Sequence, residues 1–287
     1  FIKDYCLNYN IDVFFPMSDR EIDILSNSDL SQIDTKIVVP SKKYIKILTD
    51  KFEFLSFLNQ NKIAKEEIHK IDTFEDLVKI QESKKQFENE IVIKPRQSRG
   101  SRGVMIINNK KRFDEPILNR NCVVGPKRDV YNYIKQKNIN LKKFFLMKYY
   151  SNINFDVDCY ASKSEVKYLA VRRRNWINHL TSINEACTIE RNFKIEKLVK
   201  KIITKLNFSG VMDMDISLDK NKDPHIIDIS GRLSGSVSSG LIANMNIFEV
   251  ILKDIFGIPH KTKFIKKKID VRLLNLFVDV RATNKSY

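Results

Sequence analysis

A chain of 287 residues, 43% hydrophobic and 30% charged, can bury a sizeable core in more than one subdomain and is not composed like a disordered segment. Lysine and arginine outnumber aspartate and glutamate by 51 to 35, a formal charge of +16 that favours anionic partners; with no DNA- or RNA-binding signature, small anions rank ahead of specific nucleic acid recognition. Cys6, Cys122, Cys159 and Cys187 form no CxxC pair and the histidines do not cluster, which argues against zinc and a disulfide framework; no apolar run approaches a membrane span and FIKDYCLNYN lacks a secretory core, so a cytoplasmic protein is expected.

IDVFFP, residues 11–16, reads as a strand closed by Pro16. SDREIDILSNS follows as a helix with Ser18 as N-cap, and KIVVP, 36–40, as a second strand, a βαβ-like opening that looks short by a strand and helix. SKKYIKILTDKFEFLSFLNQN has helical apolar spacing with a break at Thr49-Asp50, and Thr73 caps a further helix whose first turn holds Glu75 and Asp76. Ile91-Val92-Ile93 and Val104-Met105-Ile106-Ile107 are short enough to be paired strands, and VYNYIKQKN reads as a helix. KKFFLMKYY, FDVDCYAS and VKYLAVRRRN are three successive strands, expected to form one antiparallel meander. Residues 192–206 are helical, with Ile195, Leu198, Val199, Ile202, Ile203 and Leu206 on one stripe and Asn192 as cap. VMDMDISLD and DPHIIDISGR pair as a hairpin across Lys220-Asn221-Lys222, followed by a helix at 246–256 and a tail strand, IDVRLLNLFVDV.

The loop inside IVIKPRQSRGSRGVMII holds Gly100 and Gly103, which permit positive φ and close backbone approach, with Arg96, Arg99 and Arg102 adding charge, so a phosphate is its natural guest. An ordinary hairpin loop with solvated arginines fits the same stretch. In the later hairpin Asp213, Asp215, Ser217 and Asp219 alternate with apolar residues and share a face, where Asp228 of the partner strand meets Asp215. Opposed carboxylates call for a cation, and hard oxygen ligands suit Mg²⁺ bridging to substrate phosphates, with Ser230 and Arg232 on the same side. For Asp213 and Asp219 a solvated face is an equal reading. Arg172 or Arg174, at a strand end near this hairpin, offers bidentate geometry to a substrate carboxylate.

In these stretches the sequence resembles the ATP-grasp superfamily, in particular the branch like the carbamoyl-phosphate synthetase large subunit and stand-alone carboxylate–amine ligases. Asp50-Lys51 looks like the family's DK motif, whose lysine contacts ATP phosphate. IVIKPRQSRGSRGV is similar to the strand and glycine-rich loop, with Lys94 as the second phosphate lysine and Ser98, Gly100, Ser101 and Gly103 in the loop. LMKYYSNINFDVDCYAS resembles the adenine hinge, at Met147, Lys148 and Tyr149, followed by the ribose contact at Asn154, where the family usually has an acid; Asp158 stands at its frequent aspartate. GVMDMDISLDKNKDPHIIDISGRLSGS resembles the magnesium hairpin, placing Asp215, Asp228 and Ser230 as metal ligands, Ser230 where asparagine is usual, and Arg232 as the arginine that steadies the transferred phosphoryl group.

The resemblance implies an α/β (α+β) ATP-grasp fold: a partial Rossmann-like pre-ATP-grasp domain at 1–48, an N-terminal subdomain with the glycine-rich loop at 49–145, and a C-terminal subdomain with the metal hairpin at 146–287. It implies ATP and Mg²⁺, or Mn²⁺, and a ligase that activates a small-molecule carboxylate as an acyl phosphate and joins it to an amine. Lys94 and Arg232 carry the catalytic role, a homodimer fits the family, and the histidines are surface or packing residues. The competing readings are a degenerate nucleotide-binding module without turnover and, behind it, a basic nucleic-acid-binding protein.

Overall fold

The computed structural model describes residues 1–31, 33–40, 42–84, 87, 90–98, 102–110, 122–150, 153–175 and 186–272. Gly100, Ser101 and Arg99 of the basic loop, and the tail strand beyond residue 272, lie outside the described residues.

The N-terminal part runs α1 (Ile2–Asn8), β1 (Val13–Phe14), α2 (Asp19–Asn27) and β2 (Lys36–Ile37), with β1 and β2 parallel around α2. Ser18 closes a capping box on α2: its hydroxyl accepts the Glu21 N–H at 3.2 Å, and the Glu21 carboxylate accepts the Ser18 N–H at 2.9 Å. The helical run then breaks into α3 (Lys42–Thr49) and α4 (Lys51–Gln60) because Asp50, extended at φ −108°, turns its carboxylate onto the N–H groups of Phe52 and Glu53.

Next come β3 (Ile68–Lys70), α5 (Phe74–Ser83), β4 (Glu90–Pro95), β5 (Met105–Asn108), β6 (Val123–Gly125), α6 (Lys127–Gln136) and β7 (Phe144–Lys148). Their strands form a sheet in the order β3-β7-β4-β5-β6, antiparallel except for the β5-β6 pair. Its pleat sorts the side chains with period two. Ile91, Ile93, Met105 and Ile107 pack with Leu77 of α5 and Val130 and Ile134 of α6, whereas Val92, Ile106, Phe145 and Met147 turn to α4.

The second sheet is built from β8 (Asn154–Ser162), β9 (Glu165–Arg174), β10 (Ala186–Ile189), β11 (Gly210–Leu218), β12 (Pro224–Ser230), β13 (Lys263–Phe264) and β14 (Ile269–Arg272), in the order β12-β11-β8-β9-β10-β14 with β13 beside β9. α7 (Phe193–Leu206) lays its stripe over one face, against Val157, Cys159, Leu169, Val171, Met212 and Met214. Each buried aliphatic side chain of that stripe contributes roughly 2 kcal/mol of transfer free energy. α8 (Ser238–Ile242) and α9 (Ile247–Ile255) follow β12, and α9 packs on the opposite face, against Tyr160, Tyr168 and Val211.

The expected meander is corrected here. β8 and β9 form a hairpin, but β7 pairs with β3 and β4 in the first sheet, so the chain crosses between sheets after Lys148 and the boundary expected at 145/146 falls inside β7. Alternation marks a strand but not its sheet. One apolar cluster runs from the first sheet through Phe54, Leu55 and Leu58 of α4 to α7 and the second sheet. Among the described residues no helix is long and apolar enough to cross a membrane.

Candidate active site

The face of the second sheet away from α7 carries two rows of cross-strand neighbours. One reads Asp228, Asp215, Asp156, Arg172 across β12, β11, β8 and β9; the next reads Ser230, Asp213, Asp158, Ala170. The alternation that sends Met212, Met214, Val157 and Cys159 into the core sends these residues the other way. Carboxylates opposed on neighbouring strands repel. Three arginines and two lysines answer them.

Arg174 donates to Asp156 at 2.6 Å and to Asp215 at 2.9 Å, and these two carboxylates keep its guanidinium charged against the opposing effect of burial. Arg172 is fully buried, paired with Asp158 and donating to Ser234 Oγ at 2.7 Å, while Asp158 also accepts the Ser234 N–H at 3.1 Å. The expectation that Arg172 reaches a substrate carboxylate is therefore corrected: it has no solvent face and secures Asp158 to the turn after β12. Arg232 lies 3.3 Å from Asp213 and 3.5 Å from Asp19 of α2.

Lys51, first residue of α4, and Lys94, on β4, come from outside this sheet and converge on Asp228, at 3.3 and 3.5 Å from its two oxygens. Both are nearly buried, at 5% and 4% exposure. Lys51 also donates to the Ser98 carbonyl, and Lys94 donates to the Ile227 carbonyl at 2.5 Å, tying the first sheet to β12. Burial depresses the Lys94 ammonium, with Asp228 pulling the other way. Burial raises the Asp213 carboxyl well above its usual range, helped by Asp158 and Asp215; burial likewise raises Asp215, against the pull of Arg174.

Ser230 donates its hydroxyl to Asp19 at 2.5 Å. Arg96 does not serve the loop as a free charge, because its guanidinium pairs with Asp50 and Glu53 at 2.7 and 2.8 Å. Gly103 has φ +75°, and a Cβ there would meet Pro95 Cγ at 3.2 Å, so the return from the loop needs glycine. Met147 is buried in the core, and the Lys148 N–H is held by the Glu67 carbonyl at 3.2 Å, leaving Tyr149 to enter the crossover with its phenol pushed up to about 12, first by burial and then by Glu90. Asn154, first residue of β8, has a buried side-chain oxygen without a hydrogen-bond partner, opposite Ser217, whose hydroxyl is likewise unpaired. A cavity of about 340 Å³ opens beside Ser98, Ile229 and Gly231 and is walled by Asp19, Ile45 and Leu48.

The donor set fits a hard divalent cation. Asp215 and Asp228 oppose each other in register, Ser230 adds an oxygen, and Asp213 Oδ1 is buried with no partner. Among the described residues no three His, Cys, Asp or Glu side chains form a ready-made cage, and magnesium, which takes one or two carboxylates and completes its shell with water and phosphate, needs none. Sequence reading missed Asp156, Asp19 and the Glu66–His225 pair; only Asp156 left a signal, two residues before Asp158 on one alternating strand.

Two antiparallel-rich sheets that meet where a buried lysine from one and another from α4 face a carboxylate hairpin from the other constitute the ATP-grasp fold. The biotin carboxylase domain of Hydrogenobacter thermophilus 2-oxoglutarate carboxylase, solved with MgADP, ADP and bicarbonate, matches with a TM-score of 0.69 at 13% identity over 92% of this chain and 57% of its own. N5-carboxyaminoimidazole synthetase from Staphylococcus aureus with ADP matches at 0.66, 15% identity, 92% and 65%, and L-amino acid ligase from Bacillus licheniformis at 0.58, 12%, 88% and 58%. The chain thus spans less than two thirds of each of these proteins. Residues 140–276 match the family described as ATP-grasp in the biosynthetic pathway with Ter operon. No curated protein matches the sequence.

Proposed function

We propose that the protein is an ATP-dependent ligase that activates a small-molecule carboxylate and joins it to an amine, with magnesium or manganese as the metal. The observation that carries this reading is the convergence of Lys51 and Lys94 on Asp228, directly opposite Asp215, where the two sheets meet. A nucleotide triphosphate placed there has its phosphates among Lys51, Lys94 and Arg232, with Ser98 and Gly103 at the loop. Met147, Lys148 and Tyr149 border the adenine, and the unpaired Asn154 oxygen is available to a ribose hydroxyl. Asp215, Asp228 and Ser230 would hold the metal, which neutralises phosphate charge when bound.

The reaction asks the protein for position and charge, not for a nucleophile. A substrate carboxylate oxygen attacks the γ-phosphorus and ADP leaves; the amine then attacks the acyl carbon, phosphate leaves, and the amine gives up a proton. Lys51, Lys94 and Arg232 offset the negative charge of the transferred group. Arg174 is the arginine we assign to the substrate carboxylate, since it lies at the edge of the row beside Asp215, and the cavity beside Asp19 and Ser98 is the space for the acceptor. Units at 1–48, 49–148 and 149–287, the second boundary moved to the crossover after β7, a cytoplasmic location, a homodimer and kinship with the carbamoyl-phosphate synthetase branch belong to the same proposal.

A nucleotide-binding module without turnover is the second reading, favoured by the bond that commits Ser230 to Asp19. Calorimetric titration with MgADP, in wild type and Lys94→Ala, followed by ADP release from ATP with panels of carboxylates and amines, separates them. Binding lost in the variant together with carboxylate-dependent ADP release supports the ligase. Binding without turnover on any pair supports the module, and no nucleotide binding overturns both.

A further inference from the structure

His225, on β12 three residues before Asp228, stands between two carboxylates: Nδ1 is 3.1 Å from Glu66 and Nε2 is 3.6 Å from Asp219. Glu66 is nearly inaccessible and belongs to the connection between α4 and β3; its second oxygen accepts the Ile226 N–H at 2.9 Å. Asn59, near the end of α4, grips the Glu66 backbone on both sides at 2.7 Å. Asp219 begins the turn between β11 and β12 and is fixed there by the N–H groups of Asn221 and Asp223. Against the imidazole lies Tyr150 of the crossover, centroids 4.2 Å apart and planes within 14°, with the Lys148 ammonium 5.7 Å from the same phenol ring.

We propose that His225 is a positioning residue for the nucleotide hinge: as an imidazolium it latches β12 to the first sheet through Glu66 and presents a charged platform on which Tyr150, and with it the Lys148–Tyr150 strand end, is seated. This rests on the assignment of Met147–Tyr149 to adenine. A buried carboxylate such as Glu66 needs a charged or fully hydrogen-bonded partner, and a cation stacked on a phenol ring is attracted by its π face. The groups facing His225 are Glu66 from the α4–β3 connection, Asp219 from the hairpin turn and Tyr150 from the crossover, beside which Lys148 and Glu67 act on the phenol. Burial works against the imidazolium, but Glu66 and Asp219 outweigh it and raise its pKa above the ordinary histidine value. The latch is therefore closed below that raised value and releases as pH rises through it.

MgADP titrations from about pH 6 to about pH 9 in wild type, His225→Gln, Glu66→Gln and Tyr150→Phe test the latch. In wild type the Kd is expected to rise about fivefold across that range, the lower end for coupling between a switch and a site. His225→Gln and Glu66→Gln should bind weakly at every pH without that step, and Tyr150→Phe, which keeps the ring, should follow wild type. Equal pH dependence in wild type and both charge-removing variants overturns the latch. Should wild type bind no nucleotide, the ligase reading falls, and NMR decides the latch: backbone amides of Lys148–Tyr150 that titrate with His225 support it, and amides indifferent to it overturn it. If His225→Gln fails to fold, Glu66→Gln and Asp219→Asn carry the same comparison.

Discussion

Asp215 and Asp228 stand opposite each other on neighbouring strands, and each is answered by cations from a different part of the chain: Arg174 of β9 for Asp215, Lys51 of α4 and Lys94 of the first sheet for Asp228. The carboxylate pair thereby fastens both sheets to one point. Asp228→Asn leaves two nearly buried ammonium groups without their counter-charge. Removing one partner of a fully buried pair costs about 3–5 kcal/mol. Asp228 is 26% exposed, so a loss of about 2 kcal/mol in urea unfolding is expected, together with loss of the MgADP stabilisation that the proposed nucleotide site predicts for wild type.

The two arginines of β9 should respond differently to metal. Arg174→Gln removes the cation between Asp156 and Asp215, and Mg²⁺ can take over part of that neutralisation. Arg172→Gln removes a cation sealed between Asp158 and Ser234, where no ion enters. As metal-free protein, Arg172→Gln is expected to lose about 3–5 kcal/mol and Arg174→Gln, whose side chain is partly exposed, about 2 kcal/mol. In thermal melts with and without millimolar Mg²⁺, only Arg174→Gln should recover; recovery of Arg172→Gln would contradict its burial.

Caps and hairpin partners were legible in the sequence because they are local. Ser18, Thr73 and Asn192 cap their helices as read, and the hairpin across its short turn is equally local, but the bulge that skips Ile227 and sets Asp228 opposite Asp215 left no sign in the sequence. What stayed illegible joins distant segments: Ser230 meets Asp19 across 211 positions and His225 meets Glu66 across 159. The same limit hid the strand exchange at β7, whose pattern of Phe145, Leu146 and Met147 fits either sheet and whose register with Val92 and Ile93 is settled by tertiary packing.

Acid should tighten the metal-free fold over part of its range. The Asp213 and Asp215 carboxyls are raised in the folded chain, so between the unfolded value, about 3.9, and the raised values the folded state binds more protons than the unfolded one. Their contribution to stability therefore grows as pH falls through the raised values and fades as pH rises above them. Asp213→Asn removes the more strongly raised of these two carboxyls and should stabilise the metal-free protein at neutral pH by about 1 kcal/mol while flattening this dependence. Urea midpoints at several pH values for the two proteins decide it; a variant less stable than wild type at neutral pH would show that Arg232 compensates Asp213 fully.

Asp50 and Lys51 divide two tasks between adjacent positions. Asp50 caps α4 and holds Arg96, whose carbonyl in turn accepts the Lys51 N–H at 2.9 Å, so the cap and the returning strand together aim Lys51 at Asp228. Asp50→Ala removes the cap and the Arg96 pair and should cost about 1–2 kcal/mol of stability. Asp50→Asn keeps a capping oxygen but weakens the Arg96 contact, so its melting should stay within about 1 kcal/mol of wild type. If Arg96 matters for aiming Lys51, MgADP affinity falls in both variants even though only the alanine melts early. Affinity that tracks stability alone would instead mean that α4, once capped, orients Lys51 without the arginine.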